Sequence, residues 1–169
     1  LIEQSGKFRN QSVGIVHGKE IGHVAPPAMN VPFLMNDLFG YIKDDQDLIL
    51  RKSCVFHYEM EFIHPFLDGN GRMGRLWQTI ILSKVNPVFE FLPLETLIIQ
   101  TQDEYYKALT ISDKAGESTV FIEYMLKLIE DSLIELLDYN NKVLTDIERI
   151  EYFISLNKGE FTRKDYMNV

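Results

Sequence analysis

One cysteine, Cys54, is all that 169 residues supply, so an internal disulfide is excluded and a reducing, cytoplasmic compartment fits. No run approaches the roughly 20 apolar residues that span a bilayer, and no signal-peptide pattern opens the chain. Positive charge is scarce as well. With 17 Lys and Arg against 25 Asp and Glu the net charge is −8, which argues against nucleic-acid binding along the whole chain. Any anion site must therefore be a local concentration of cations. Repeats and low-complexity tracts are absent. An initiating Met is missing too, and Leu1 in its place reads as the start of an excised piece with sequence upstream. What is present is ordinary for a globular protein: 46% apolar residues and enough length for one real core, with or without a small appendage.

Most of the chain reads as helix. The exception is 12–24 (SVGIVHGKEIGHV), where β-formers flank Gly18-Lys19-Glu20 in the manner of a hairpin ended by Pro26-Pro27. Asn30 is placed to cap a first helix with Pro32 in its opening turn, running to about Ile42 with Phe33, Leu34, Leu38 and Tyr41 as its apolar face. Asp44, Asp45 and Asp47 suit the start of a second helix that ends near His64. A third resumes near Asn70 and continues to Val85, where Asn86-Pro87 stops it. A further helix is expected over 102–114, closed by Gly116. Ser118 then caps a long one whose stripe is Phe121, Met125, Leu128, Ile129 and Leu133. From about Asp146 the pattern is a short helix, a turn at Gly159 and a new cap at Thr162. This resembles the opening of a winged-helix module, or a terminal helix that frays.

The chemistry concentrates in His64-Pro65-Phe66-Leu67-Asp68-Gly69-Asn70-Gly71-Arg72-Met73-Gly74-Arg75. A helix ends at His64 and another begins beside Asn70, so the free N–H groups and positive dipole end of the second form an anion site. Gly69 and Gly71 let several N–H groups turn inward. Arg72 and Arg75, three apart, can clamp a polyphosphate with forked donors, and their placement against the helix dipole is unfavourable unless an anion is held. Asp68 is a hard carboxylate beside that anion, suited to magnesium. His64, at the mouth, can accept a proton near neutrality. The bland alternative is a helix–turn–helix loop capped by Asp68 and Asn70, with its arginines paired to surface acids.

This string resembles the Fic family signature, His-Pro-Phe-x-(Asp/Glu)-Gly-Asn-Gly-Arg-x-x-Arg, at every specified position, and the resemblance extends from about Phe8 to Leu137. It implies a mainly α fold: a Fic/Doc helical core with a small β-hairpin flap, followed by the start of a winged-helix-like segment. Residues 1–140 would be the catalytic domain and 141–169 the linker helix and appended segment. The activity implied is transfer of AMP from ATP to a Ser, Thr or Tyr hydroxyl of a target protein, with its removal at the same site as a companion reaction.

On that resemblance His64 is the base and Asp68 the magnesium ligand. Gly69, Asn70 and Gly71 hold the α- and β-phosphate oxygens, and Arg72 and Arg75 balance the leaving pyrophosphate. Val16, His17, His23 and Val24 belong to the flap that docks the target as an added strand. Tyr105, Tyr106 and Leu109 stand on the adenine side, with Asp113 where some relatives carry Asn. The family's inhibitory helix, (Ser/Thr)-x-x-x-Glu-(Gly/Asn), is matched nowhere: Thr119 and Glu123 have the spacing, but Tyr124 follows. The expectation is that missing upstream sequence supplies it.

Two other readings remain: transfer of another group on the same fold, either by a Doc-like kinase, against which Gly71 argues, or of another nucleotide or phosphocholine; and a non-catalytic nucleotide-sensing regulator reaching DNA through its tail. No membrane partner is expected. His57, seven residues before His64, reads as a buried structural histidine rather than a metal ligand, and Cys54 as a small core residue. Met60, Met73 and Trp77 read as packing around the loop.

Overall fold

The computed structural model describes residues 6–17, 20–44, 46–143, 145–156, 159 and 162, without the side chains of 15–17, 20–22, 139–143 and 156. Two strands, β1 (Gly14–His17) and β2 (Glu20–Val24), precede α1 (Val31–Asp44), α2 (Ile49–Ile63), α3 (Asn70–Ser83), α4 (Leu94–Gln100), α5 (Gln102–Ala115), α6 (Thr119–Val143) and α7 (Asp146–Leu156). Short 3₁₀ turns cover Ala28–Asn30 and Pro87–Phe91. The architecture is the expected mainly helical one with a hairpin. None of the described helices is long and apolar enough to cross a membrane.

The strands pair antiparallel, Gly14 opposite Val24 and His17 opposite Glu20, with a bulge-like irregularity between Ile15 and Val16. The turn residues Gly18 and Lys19 lie outside the described residues, as does Asp45. Most of the expected winged-helix start, 157–158, 160–161 and 163–169, lies outside them too.

The chain forms two compact units, Leu1–Ser132 and Leu133–Val169. In the first, α2 is the central element. Its Phe56, Met60 and Ile63 are buried with Val31, Met35 and Leu38 of α1 and Ile81 of α3, and Met73 and Trp77 pack against them as expected. A fully buried side chain of this size contributes roughly 1.5–3 kcal/mol of transfer free energy. The α1 face agrees with the sequence expectation in part: Leu38 is buried and Leu34 packs against the same core, whereas Phe33 is 72% exposed and Val31 and Met35 join the buried face. Helical periodicity leaves the orientation of the stripe to the neighbouring helices. A 3₁₀ turn runs directly into Val31, so Asn30 ends that turn ahead of α1.

The acids before α2 also fall differently. Asp44 ends α1, and α2 begins after Leu48, whose N–H donates to Asp47 Oδ1 at 2.7 Å. Buried Lys52 donates Nζ to the Ile42 carbonyl at 2.9 Å, capping the last turn of α1.

The other side of α2 meets α5 and α6. Phe121 of α6 is fully buried, its ring 5.3 Å from that of His57, 5.6 Å from Tyr58 and 5.8 Å from Tyr105. Met125, Leu128 and Ile129 continue the expected stripe as buried residues, whereas Leu133 is half-buried. Gly116 closes α5 in the left-handed region, φ 69°, as a C-cap glycine should. In the second unit α7 opens with a capping box: Thr145 Oγ1 accepts from Glu148 N at 3.4 Å, and Glu148 Oε2 accepts from Thr145 N at 2.7 Å.

Candidate active site

His64 terminates α2 as its C-cap, at φ 50° and ψ 59°. It is the sole non-glycine residue at positive φ among the described residues, in a position helices usually give to Gly or Asn. Such a conformation costs of order 1–3 kcal/mol and clusters at functional sites. The ring is half-buried, and Nδ1 is buried without a hydrogen-bond partner. Burial lowers the His64 pKa below the ordinary histidine value, and the charges of His23 and Arg9 lower it further, while the Glu61 backbone pulls upward. The ring is therefore neutral near pH 7. A neutral imidazole can take a proton.

The loop after it is closed by Asn70, which is 2% exposed. Its Oδ1 accepts the Phe66 N–H at 2.9 Å and its Nδ2 donates to the Phe66 carbonyl at 2.9 Å. The sequence expectation has Asn70 on the phosphate oxygens; in the fold both ends of its amide bond the loop's own backbone. Gly69 is the N-cap of α3 at φ 84°, and no side chain caps the helix. The N–H groups of the first turn after Gly69 have no intrahelical partners, as at any helix start, while that of Gly69 itself donates to Asp68.

Asp68 is exposed, its Oδ1 accepting from Gly69 N at 2.6 Å and its Oδ2 lying 3.5 Å from Arg72 Nη2. Arg72 is also exposed and folds back over the loop, Nη2 standing 3.4 Å from where a Cβ on Gly69 would lie. Among the described residues no cluster of three His, Cys, Asp or Glu side chains could cage a metal. A lone exposed carboxylate does fit magnesium, which keeps its waters and is held mainly by substrate phosphates.

Arg75 is more enclosed. Its Nε donates to Glu95 Oε2 at 2.5 Å and its Nη2 to Glu95 Oε1 at 2.8 Å, a forked pair with α4. A Cβ on Gly71 would meet Glu61 Oε1 at 3.0 Å and Arg75 Nη1 at 3.1 Å, so this glycine leaves room for both groups. Burial raises the Glu61 pKa above its ordinary value, opposed by the Tyr105 hydrogen bond and by Arg75. The Tyr105 hydroxyl donates to Glu61 Oε1 at 3.2 Å and lies 3.1 Å from His57 Nε2, while His57 Nδ1 meets Gln78 Oε1 at 2.7 Å. Tyr105 is 4% exposed and belongs to this buried network. The expectation places it on the adenine side; in the fold its hydroxyl is bonded to His57 and Glu61. Tyr106 and Leu109 are half-buried on α5. Cys54 is buried, and burial pushes its thiol up to about 11.

In the hairpin, Val24 is 70% exposed, whereas His23 is turned inward. His23 Nδ1 lies 3.0 Å from Asp113 Oδ1 and Nε2 lies 2.8 Å from the Phe62 carbonyl. His23, expected in the target-docking flap, tethers β2 to α5 and α2. The side chains of Val16 and His17 lie outside the described residues, though their backbone is in β1.

The fold thus brings His64, Asp68, Gly69, Asn70, Gly71, Arg72 and Arg75 onto one helix–loop–helix. Sequence reasoning missed Glu95, Glu61 and Arg9. For Glu95 a signal existed, since Pro93-Leu94-Glu95 with Ile98 four residues after Leu94 is a short helix start. For Arg9 and Glu61 there was none.

Residues 1–82 match the Fic/DOC family model, and the chain contains a Fic-family domain. A Fic family protein from Desulfovibrio desulfuricans G20, solved by crystallography, is 41% identical and superposes with a TM-score of 0.79, over 99% of this chain and 51% of that one. A probable protein adenylyltransferase of Aquifex aeolicus is 29% identical over 78% of this chain and 40% of its own length. Protein adenylyltransferase fic-1 of Caenorhabditis elegans is 28% identical over 59% of this chain and 19% of its own. The chain thus spans well under half the length of these curated relatives.

Proposed function

We propose that residues 1–140 are the catalytic domain of a protein adenylyltransferase, transferring AMP from ATP to a hydroxyl side chain of a target protein. The observation that carries the reading is the pairing of a neutral, conformationally constrained His64 with an uncapped helix start holding Arg72 and Arg75. The substrate hydroxyl gives its proton to the His64 imidazole as its oxygen bonds to the α-phosphorus. The bond from that phosphorus to the bridging oxygen breaks, and pyrophosphate leaves. The N–H groups at Asn70 and Gly71 receive the α- and β-phosphate oxygens, joined by that of Gly69 when Asp68 Oδ1 releases it. Arg72 and Arg75 stabilise charge on the departing pyrophosphate, which is the main work a protein does in such a transfer. Asp68 would hold magnesium, which supplies charge neutralisation between the phosphates when bound.

The backbone of β1 and β2, with exposed Val24 beside it, offers an edge for an extended target segment. Tyr106 and Leu109 stand as the adenine-side residues. An upstream inhibitory helix and cytoplasmic residence complete the reading. The test uses α-labelled and γ-labelled ATP with a cell lysate, the wild-type chain and a His64→Ala variant. Protein label from the α position alone, lost in the variant, supports AMP transfer. Label from the γ position overturns it in favour of a kinase, and no label favours a nucleotide-binding regulator.

A further inference from the structure

The carbonyls of Phe62, Ile63, His64 and Pro65 emerge one after another where α2 ends, and each meets a donor from the N-terminal segment. Phe62 O lies 2.8 Å from His23 Nε2. Arg9 takes the other three: Nη2 donates to Ile63 O at 3.1 Å, Nε to His64 O at 2.8 Å, and the backbone N–H to Pro65 O at 2.8 Å. The same guanidinium donates to Gln11 O at 2.9 Å and to Pro26 O at 2.5 Å, the stretches immediately before and after the hairpin. Arg9 is only 3% exposed.

A buried cation spent on carbonyls is a costly way to finish a helix. Helix ends are ordinarily closed with a glycine in the left-handed position. Here that position is His64, which carries the strain of a side chain at φ 50°. A planar fork reaching successive carbonyls fixes the peptide planes on both sides of the His64 α-carbon, which a single donor does not. Positive charge at this end also complements the helix dipole.

We infer that Arg9 is a positioning residue for His64, holding it in its left-handed conformation and tying that conformation to both ends of the hairpin. The inference rests on the reading of His64 as the base and adds a residue on which nothing in the loop motif bears. His23 reinforces it one carbonyl earlier, from within β2 and braced by Asp113. The hairpin and His64 are in this way held by shared bonds.

The experiment compares wild type with Arg9→Lys and Arg9→Gln in the intact chain. Lysine keeps the charge and loses the fork, so the protein stays folded while the His64 peptide planes are released. The expected result for Arg9→Lys is a fall of at least about tenfold in kcat with KM for ATP within about twofold, as small misplacements of a reacting group produce. In parallel, histidine ring resonances are recorded by NMR. Those of His64 shift in Arg9→Lys, while those of His57, buried on the same helix, stay in place. Unmoved His64 resonances in folded Arg9→Lys overturn the inference, and so does a loss of ATP affinity matching the loss of kcat. Arg9→Gln, if it folds, shows a larger change of the same kind; a smaller one also overturns the inference. The NMR arm needs no turnover. A wild-type chain that transfers no AMP therefore sinks the functional reading while leaving Arg9 decided.

Discussion

Arg75 and Glu95 close on each other as a forked pair, Nε to Oε2 at 2.5 Å and Nη2 to Oε1 at 2.8 Å, joining the second loop arginine to the first turn of α4. The arginine read as the phosphate clamp therefore already holds an anion. A nucleotide reaching it must displace a carboxylate, whose side chain is 58% exposed and free to swing into water. An ion pair of that exposure is worth on the order of 0.2–1 kcal/mol. Glu95→Gln is expected to lower the dissociation constant for ATP about two- to fivefold, read by calorimetric titration. Arg75→Ala should weaken ATP binding by about tenfold or more, since a charge-assisted hydrogen bond is worth roughly 1.5–3 kcal/mol. Unchanged affinity in both variants would remove Arg75 from the nucleotide site.

Asn70 does structural work inside the loop. With both amide ends on the Phe66 backbone, Asn70→Ala leaves a buried N–H and C=O unpaired, at about 1–3 kcal/mol each. Urea denaturation should show a drop of about 2 kcal/mol or more. Asn70→Asp keeps the acceptor for Phe66 N and loses the donor, so it should fall between wild type and Asn70→Ala.

Gly74 is where α3 crosses α2. A Cβ there would stand 2.7 Å from His57 Cδ2, and the ring cannot retreat because Gln78 and Tyr105 hold its two nitrogens. Gly74→Ala should cost about 1–3 kcal/mol as an overpacked contact. A melting curve indistinguishable from wild type would show that the helices can part there.

Acid should destabilise the fold through His57. Burial pushes its pKa down to about 4, against an ordinary value of 6.5. Between those values the unfolded chain binds the proton and the folded one does not. Stability is therefore full above about pH 6.5 and is lost as pH falls toward about 4. The shift corresponds to about 3 kcal/mol. Glu61, with its raised pKa, acts oppositely and costs stability as pH rises through its window above the ordinary value. Urea midpoints at pH 7 and 4.5 should differ in wild type and differ less in His57→Gln. An equal pH dependence in the two proteins would assign the effect to other groups.

The local chemistry of the chain was enough to place the hairpin, the helix break between His64 and Asn70, the closure of α5 at Gly116 and the stripe headed by Phe121. Each of these depends on a residue's own backbone preference or on spacing within one element: prolines, glycines, and apolar residues three and four apart. What tertiary structure decided is of another kind. Helical periodicity placed Leu34 and Leu38 of α1 on the core side, but packing against α2 and α3 decided that Val31 and Met35 join them while Phe33 stays outside.

The sequence did not show that the polar groups of Asn70, Tyr105 and His23 bond Phe66, His57 with Glu61, and Asp113 with Phe62. Buried polar atoms must find partners, and the partners lie up to 90 residues away in sequence. The same holds for Arg9 with His64, 55 residues apart, and for Arg75 with Glu95. Sequence spacing alone put a histidine, a carboxylate and two arginines on one loop. Which cation bonds the carbonyls around that histidine, and which carboxylate meets the second arginine, followed only from contacts that chain separation hides.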